Sequence, residues 1–172
     1  MNSNMKHISP ASADPIFDRI GKEWMLISAT DGEHTNTMTA SWGCCGILWN
    51  KPIAVCFIRP QRFTCPIVEA SDTLSLAFLS EDYRAALTLC GRTSGRDGDK
   101  FAAAGLTVAK EDGIPYPAEA HTVLLCKKLY VDTLKKENFL LPELLSHYPI
   151  DDFHRVFICE ITDVLVKSEA ES

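Results

Sequence analysis

Six residues that follow an apolar run, Arg59-Pro60-Gln61-Arg62-Phe63-Thr64, bring two guanidinium groups to the start of a helical pattern. Guanidinium forks match phosphate and carboxylate oxygens, and the free N–H groups at a helix start favour the same anions. Pro60 keeps the preceding strand from continuing, and Thr64 is placed to cap the helix. By itself the stretch reads first as a strand-to-helix turn with two solvated arginines. A second stretch, Gly91-Arg92-Thr93-Ser94-Gly95-Arg96-Asp97-Gly98-Asp99-Lys100, sets three glycines, three cations and two hydroxyls before another helix start. Glycines let backbone N–H groups approach an anion, and Ser94, Arg96 and Lys100 would add hydroxyl and charged donors. Alone, it reads equally well as a surface loop. The Gly-Lys-Ser/Thr ending of a P-loop and the G-x-G-x-x-G of a dinucleotide fold are both missing. Two anion-type segments on an acidic chain are most economically one phosphate pocket.

A third stretch, Asn36-Thr37-Met38-Thr39-Ala40-Ser41-Trp42-Gly43, has the threonines of a half-buried strand. Its small residues and closing indole would also suit a flat aromatic ring laid along the backbone and held by main-chain N–H and C=O groups. A flat ring together with a phosphate points to flavin mononucleotide, FMN.

The elements that must position these residues are mostly strands. Trp24–Thr30 and the strictly alternating Thr35–Trp42, with Asp31-Gly32 between them, predict a hairpin. Ile53–Ile58 is apolar on both faces, as a central strand covered on each side would be. Leu74–Leu79, Thr122–Val131 and Val156–Val166 add three strands. Short helices are expected after Thr64, over Glu81–Cys90 with Ser80 as N-cap and Gly91 as the residue past the end, over Asp99–Ala104, and over Pro142–His147. The pattern does not alternate strand with helix, so a mainly β fold with short helices, a closed or partly closed antiparallel barrel, is expected in place of a doubly wound sheet. Residues 1–20 read as an N-terminal arm, 21–167 as one domain and 168–172 as a C-terminal tail.

Composition narrows the function classes. The 172 residues are 46% apolar and 23% charged, and 17 Lys+Arg against 23 Asp+Glu give a net charge of -6. That balance argues against nucleic acid or an anionic membrane as the main partner. No apolar stretch approaches the roughly 20 residues that span a bilayer, and no basic-then-apolar segment opens the chain. The seven cysteines, at 44, 45, 56, 65, 90, 126 and 159, have no framework spacing, and a reducing cytoplasm is the expected location.

In combination the three stretches resemble the successive motifs of the flavin reductase-like, flavoredoxin-type FMN-binding proteins. The likeness extends to Phe153-His154-Arg155 and the strand after it, and so covers nearly the whole chain from about Trp24 onward. It implies a split β-barrel of Greek-key type, a homodimer, and FMN near the subunit interface. By the same resemblance Asn36, Thr37, Met38, Thr39, Ala40, Ser41 and Trp42 would line the ring and ribityl chain. Arg62, Thr64, Ser94, Arg96 and Lys100 would hold the phosphate, with Arg59, Phe63 and Asp99 in support. His154 is the weaker candidate, reaching the flavin across the dimer.

The sequence departs from the pattern at Cys44-Cys45, where the family has glycine or small apolar residues; packing is the expected role, because vicinal thiols form strained rings. The five histidines show no metal-ligand spacing. No nucleophile–base pair stands out, as expected where the cofactor carries the chemistry. The expected function is an FMN-dependent oxidoreductase that takes hydride from NAD(P)H and passes electrons to free flavin, a ferric chelate or a protein. Its alternatives are a flavoredoxin-like carrier without nicotinamide turnover and a split-barrel module that has lost its cofactor.

Overall fold

The computed structural model describes residues 14–167. Among these residues seven strands pair antiparallel in one sheet: β1 (Met25–Thr30), β2 (Thr35–Ala40), β3 (Gly43–Leu48), β4 (Lys51–Ile58), β5 (Thr73–Phe78), β8 (Thr122–Thr133) and β9 (Arg155–Val166). A separate hairpin is made by β6 (Val108–Glu111) and β7 (Ile114–Pro117). The order in the large sheet is β2-β1-β5-β8-β9-β4-β3. This order has a geometrical consequence: β2 and β3 occupy opposite edges, yet only Ser41 and Trp42 separate them along the chain. Three residue steps reach about 10 Å. The sheet must therefore roll until its two edges meet at Ser41-Trp42, and since β2 and β3 do not pair, the barrel is split along that seam.

Alternation along the strands feeds two cores. Ile27, Met38, Cys56, Leu76, Phe157 and Cys159 pack inside the barrel with Ile67 and Val68 of α2 (Thr64–Ala70). Leu26, Ala77, Val123 and Leu125 point the other way, beneath Leu87 and Cys90 of α3 (Arg84–Arg92), Phe101 of α4 (Lys100–Ala103), and the β6–β7 hairpin. Strands β1 and β5 and the first half of β8 are thus covered on both faces, while β8 from Lys127 onward is largely exposed. For β4 the expectation holds in part: Ile53, Ala54, Cys56 and Ile58 are buried, but Val55 and Phe57 are half-buried because that face is not fully roofed.

The β1–β2 hairpin is as expected, with Asp31 Oδ1 accepting from the N–H groups of Glu33 and His34 and Gly32 at φ 95°. Two further hairpins had weak sequence signals. The turn Trp49-Asn50 between β3 and β4 has φ of 52° and 58° without a glycine, and β7 (Ile-Pro-Tyr-Pro) carries two prolines that only an edge strand tolerates.

Several helix ends differ from expectation. Thr64 does not cap α2: Phe63 precedes it with helical angles, and the Thr64 hydroxyl serves elsewhere. Glu81–Tyr83 is a 3-10 turn before α3, Ser80 makes no capping bond, and Gly91 lies inside the helix, which closes at Thr93. Pro142–His147 is 3-10. Of the expected arm, residues 1–13 lie outside the described residues, as does the tail 168–172, while Pro15–Asp18 forms α1, capped by the Asp14 carboxylate. Among the described residues no helix is long and apolar enough to cross a membrane.

Candidate functional site

The roll of the sheet opens a cleft at the seam. It holds about 200 Å³ and is lined by Met38–Trp42, by Phe57 and Arg59 at the end of β4, and by Arg62 and His154. A second recess of about 200 Å³ continues from it, lined by Gln61, Arg62, Phe63, Arg92, Thr93, Ser94, Gly95, Arg96 and Lys100. Arg62 belongs to both. The two cationic turns, 30 residues apart in sequence, therefore face each other, as a single phosphate pocket requires.

Two cations converge on the last turn of α3. Lys100 Nζ donates to the Cys90 carbonyl at 2.7 Å, and Arg62 donates to the carbonyls of Gly91 at 2.8 Å and Cys90 at 3.2 Å. Late helix carbonyls lack partners within the helix and attract cations, so one of these side chains is accounted for as a cap. Two cations on one carbonyl exceed that need. Lys100 is only 4% exposed, and neither group forms an ion pair among the described residues. Burial, reinforced by Arg62, pushes the Lys100 ammonium down to about 8. Burial also holds Arg62 below its ordinary value, though a guanidinium stays protonated. A buried ammonium beside a half-buried guanidinium, without a carboxylate, is a place where an anion would restore balance.

Loop 93–99 closes over this pair. Arg96 lies over the Phe63 ring, 5.2 Å from its centroid, and donates to the Gln61 carbonyl; its own N–H donates to Ser94 Oγ. Gly95 sits against Asn36 and Phe63 with no room for a side chain. Asn36, buried, donates through Nδ2 to Thr64 Oγ1 at 2.9 Å and so ties β2 to α2 beneath the loop. Asp99 is placed as a cap, its carboxylate accepting from the N–H groups of Phe101 and Ala102, which fixes the helix start that carries Lys100. Asp99→Ala is expected to cost about 1 kcal/mol of stability, read as a lowered midpoint in thermal denaturation.

Three expected site residues have other duties. Thr37 is fully buried on the face of β2 that packs against β1, donating to the Ile27 carbonyl and accepting from Ser28, so its side chain cannot touch a ligand in the cleft. Thr39 Oγ1 donates to the Leu87 carbonyl and anchors α3. Arg59, expected to support the phosphate, points the other way: it pairs with Asp152, donates to the His147 carbonyl at 2.8 Å and lies 5.0 Å from the centre of the Tyr148 ring. What β2 offers the cleft is its open edge, since among the described residues it pairs with β1 alone and its outer N–H and C=O groups have no strand partner.

Trp42 closes one end of the cleft, 47% exposed, with its ring 5.3 Å from that of His154 and 5.4 Å from that of His147. His154 is buried, and burial together with the nearby Arg59 charge pushes its imidazole down to about 4. An unfolded histidine protonates near 6.5, so between about 6.5 and 4 the unfolded chain takes up a proton that the folded chain does not. Stability should therefore fall as pH drops through that window, and less steeply in His154→Gln, as urea melts at a series of pH values would show. Sequence reasoning missed Phe57, His147 and Tyr148; none lies in a cationic or glycine-rich stretch, and only the roll of the sheet brings them to the seam.

Cys44 and Cys45 project to opposite faces of β3, the first exposed and the second half-buried, and burial raises both thiols. Cys56, Cys65, Cys90, Cys126 and Cys159 are buried. Burial also raises the thiols of Cys65, Cys90 and Cys126, which pack as small apolar groups.

The comparison with known proteins follows the same lines. Residues 17–172 match the model of the flavin reductase like domain. The fold is similar to the flavoredoxin of Methanosarcina acetivorans (18% identity, TM-score 0.66, 84% of this chain and 68% of that one). It is also similar to the FMN-binding protein of Thermus thermophilus (19%, 0.69, 95% and 82%). A third similar structure is the NADH:FAD oxidoreductase SgcE6 of Streptomyces globisporus C-1027 (13%, 0.66, 96% and 89%). At these identities the likeness is one of fold. No curated protein matches the chain.

Proposed function

The chain belongs to the flavin reductase-like domain family, and on that premise we propose that it binds FMN along the seam and works as an oxidoreductase, taking hydride from NAD(P)H and passing electrons to flavin, a ferric chelate or a protein acceptor. The observation that carries this reading is the pairing of half-buried Arg62 with buried Lys100, sharing the Cys90 carbonyl with no ion pair to a carboxylate among the described residues, under a loop whose Gly95 admits no side chain. That donor set fits a phosphate. Arg62 and Lys100, with Ser94 and Arg96, would hold it; the open edge of β2 and the Trp42 indole would take the ring. Bound FMN would supply the hydride and electron chemistry. The protein's part is to position the ring, exclude water and set the local charge.

A flavoredoxin-like carrier is the second reading, supported by the likeness of the fold to the flavoredoxin of Methanosarcina acetivorans. Anaerobic mixing with NADH and NADPH separates the two: bleaching of the flavin absorbance supports the enzyme, and an unchanged spectrum supports the carrier. Protein that takes up no FMN at all sinks both.

A homodimer belongs to the same reading. Leu140, Leu141, Leu144 and Ile150 lie on one segment, with Leu140 92% exposed, and a second copy of the chain would cover them. Sedimentation of Leu140→Glu against the wild type tests this, and an unchanged mass for the variant counts against this surface. A cytoplasmic location, consistent with seven free thiols, completes the proposal.

A further inference from the structure

One buried hydrogen bond at the seam has no part in holding a phosphate. The Tyr148 hydroxyl lies 2.7 Å from His154 Nδ1, and both residues are buried. Which of the two donates follows from counting protons. If His154 Nδ1 carried the proton, the Tyr148 hydroxyl hydrogen would have no other acceptor among the described residues. If Tyr148 donates instead, its hydrogen is satisfied, and the single proton of a neutral imidazole must sit on Nε2. Nε2 has no protein partner among the described residues, is not sealed off, and belongs to a side chain that is 6% exposed and lines the cleft.

We propose that Tyr148 is a positioning residue that fixes His154 as its Nε2–H tautomer, so that the imidazole presents a hydrogen-bond donor to a carbonyl-type oxygen of whatever occupies the cleft. The inference rests on the flavin reading above for the occupant, but not for the tautomer. The surroundings hold Tyr148 in place: Phe153 stacks on its ring at 4.8 Å, and Arg59 covers the ring while bonded to Asp152 and the His147 carbonyl. Asp152 in turn accepts from Gln61 Nε2, which pins the segment to the turn after β4. The titratable groups facing His154 are thus Arg59 and Asp152, of opposite sign and paired with each other. Burial and the Arg59 charge keep the imidazole neutral, as a fixed tautomer requires. An unpartnered donor in a recess lined by Trp42 and Phe57 selects an acceptor that brings no proton of its own. Ring carbonyls of the flavin meet that description, and so does the carbonyl of a second bound compound.

The test is ¹⁵N NMR of histidine-labelled apoprotein near neutral pH, with the His154 signal assigned by its loss in His154→Gln. A pyridine-type Nδ1 and a pyrrole-type Nε2 are expected; a protonated Nδ1 or a charged ring overturns the proposal. Tyr148→Phe should release the tautomer into a mixture, and if that variant does not fold, the wild-type spectrum alone decides. FMN and benzaldehyde are then added separately. A shift of Nε2 with FMN assigns the oxygen to the flavin, and a shift with benzaldehyde alone assigns it to a second compound. No shift with either overturns the proposal, while FMN uptake measured by visible absorbance reports independently on the flavin reading.

Discussion

Lys100→Met is expected to weaken FMN binding by about 100-fold or more, roughly 2.7 kcal/mol, and to leave the apoprotein as stable as before or more so. The two effects have opposite signs because the ammonium is an asset only when an anion is present. In the apoprotein Lys100 is buried next to Arg62 and pushed down to about 8, and its one bond, to the Cys90 carbonyl, is duplicated by Arg62. Removing it orphans no acceptor and relieves like-charge repulsion. With a phosphate bound, the same removal deletes a charge-assisted bond made by a buried ammonium.

The pH dependence gives a second readout. From about 8 to the ordinary 10.5 the unfolded chain binds a proton at Lys100 that the folded apoprotein does not, so this residue's contribution to stability rises with pH across that window. FMN affinity moves the other way. A phosphate monoester becomes dianionic above about pH 6, and Lys100 loses its charge above about 8. Affinity should be greatest between these values and decline on the alkaline side by up to about tenfold per pH unit. Fluorescence titrations of FMN from about pH 6 to pH 10 check this. The alkaline decline should vanish in Lys100→Met; an affinity equal to the wild type at every pH would assign Lys100 to helix capping alone.

Gly95→Ala has the next largest expected effect. A Cβ there would lie 2.5 Å from both Asn36 Oδ1 and Phe63 Cδ1 and 2.8 Å from Asn36 Cγ. Neither neighbour can retreat: Asn36 is buried and bonded to Thr64, and Phe63 is held between the Arg96 guanidinium and the edge-on His34 ring, 5.9 Å away. The loop must move instead. Overpacking of this kind costs about 1–3 kcal/mol, and displacing Ser94 and Arg96 from the recess should lower FMN affinity by at least roughly tenfold, since a shift of about 1 Å is enough to spoil a positioned site. Gly46→Ala is the control, because nothing lies within 4 Å of its added Cβ. Equal behaviour of the two variants, in thermal melts and in FMN titration, would show that the close approach at Gly95 is without consequence.

The sequence determined a good deal of this. Alternation at Thr35–Trp42 and the patterns at Ile53–Ile58, Leu74–Leu79 and Thr122–Val131 specified strands, because side chains on a pleat alternate with period two whatever surrounds them. Cations and glycines packed into 59–64 and 91–100 pointed to an anion site, because charge and backbone freedom are properties of the residue types themselves. Edge strands were less legible: β3 contains two glycines and β7 two prolines, and both are held by pairing that no local preference reveals.

Tertiary structure alone decided which members of each stretch do the work. Arg59 and Arg62 lie three residues apart, yet one is neutralised by Asp152 and the other is left over the Cys90 carbonyl. Thr37 is lost to the β1 interface while its neighbour Met38 lines the cleft. His147 and His154 reach Trp42 only because two residues, Ser41 and Trp42, join opposite edges of the sheet and force it to roll. The physical reason is one of range. Residue type and spacing set what a side chain can donate, accept or pack over a few ångströms, while the partner it meets across 90 or more residues of chain is fixed by the closure of the barrel.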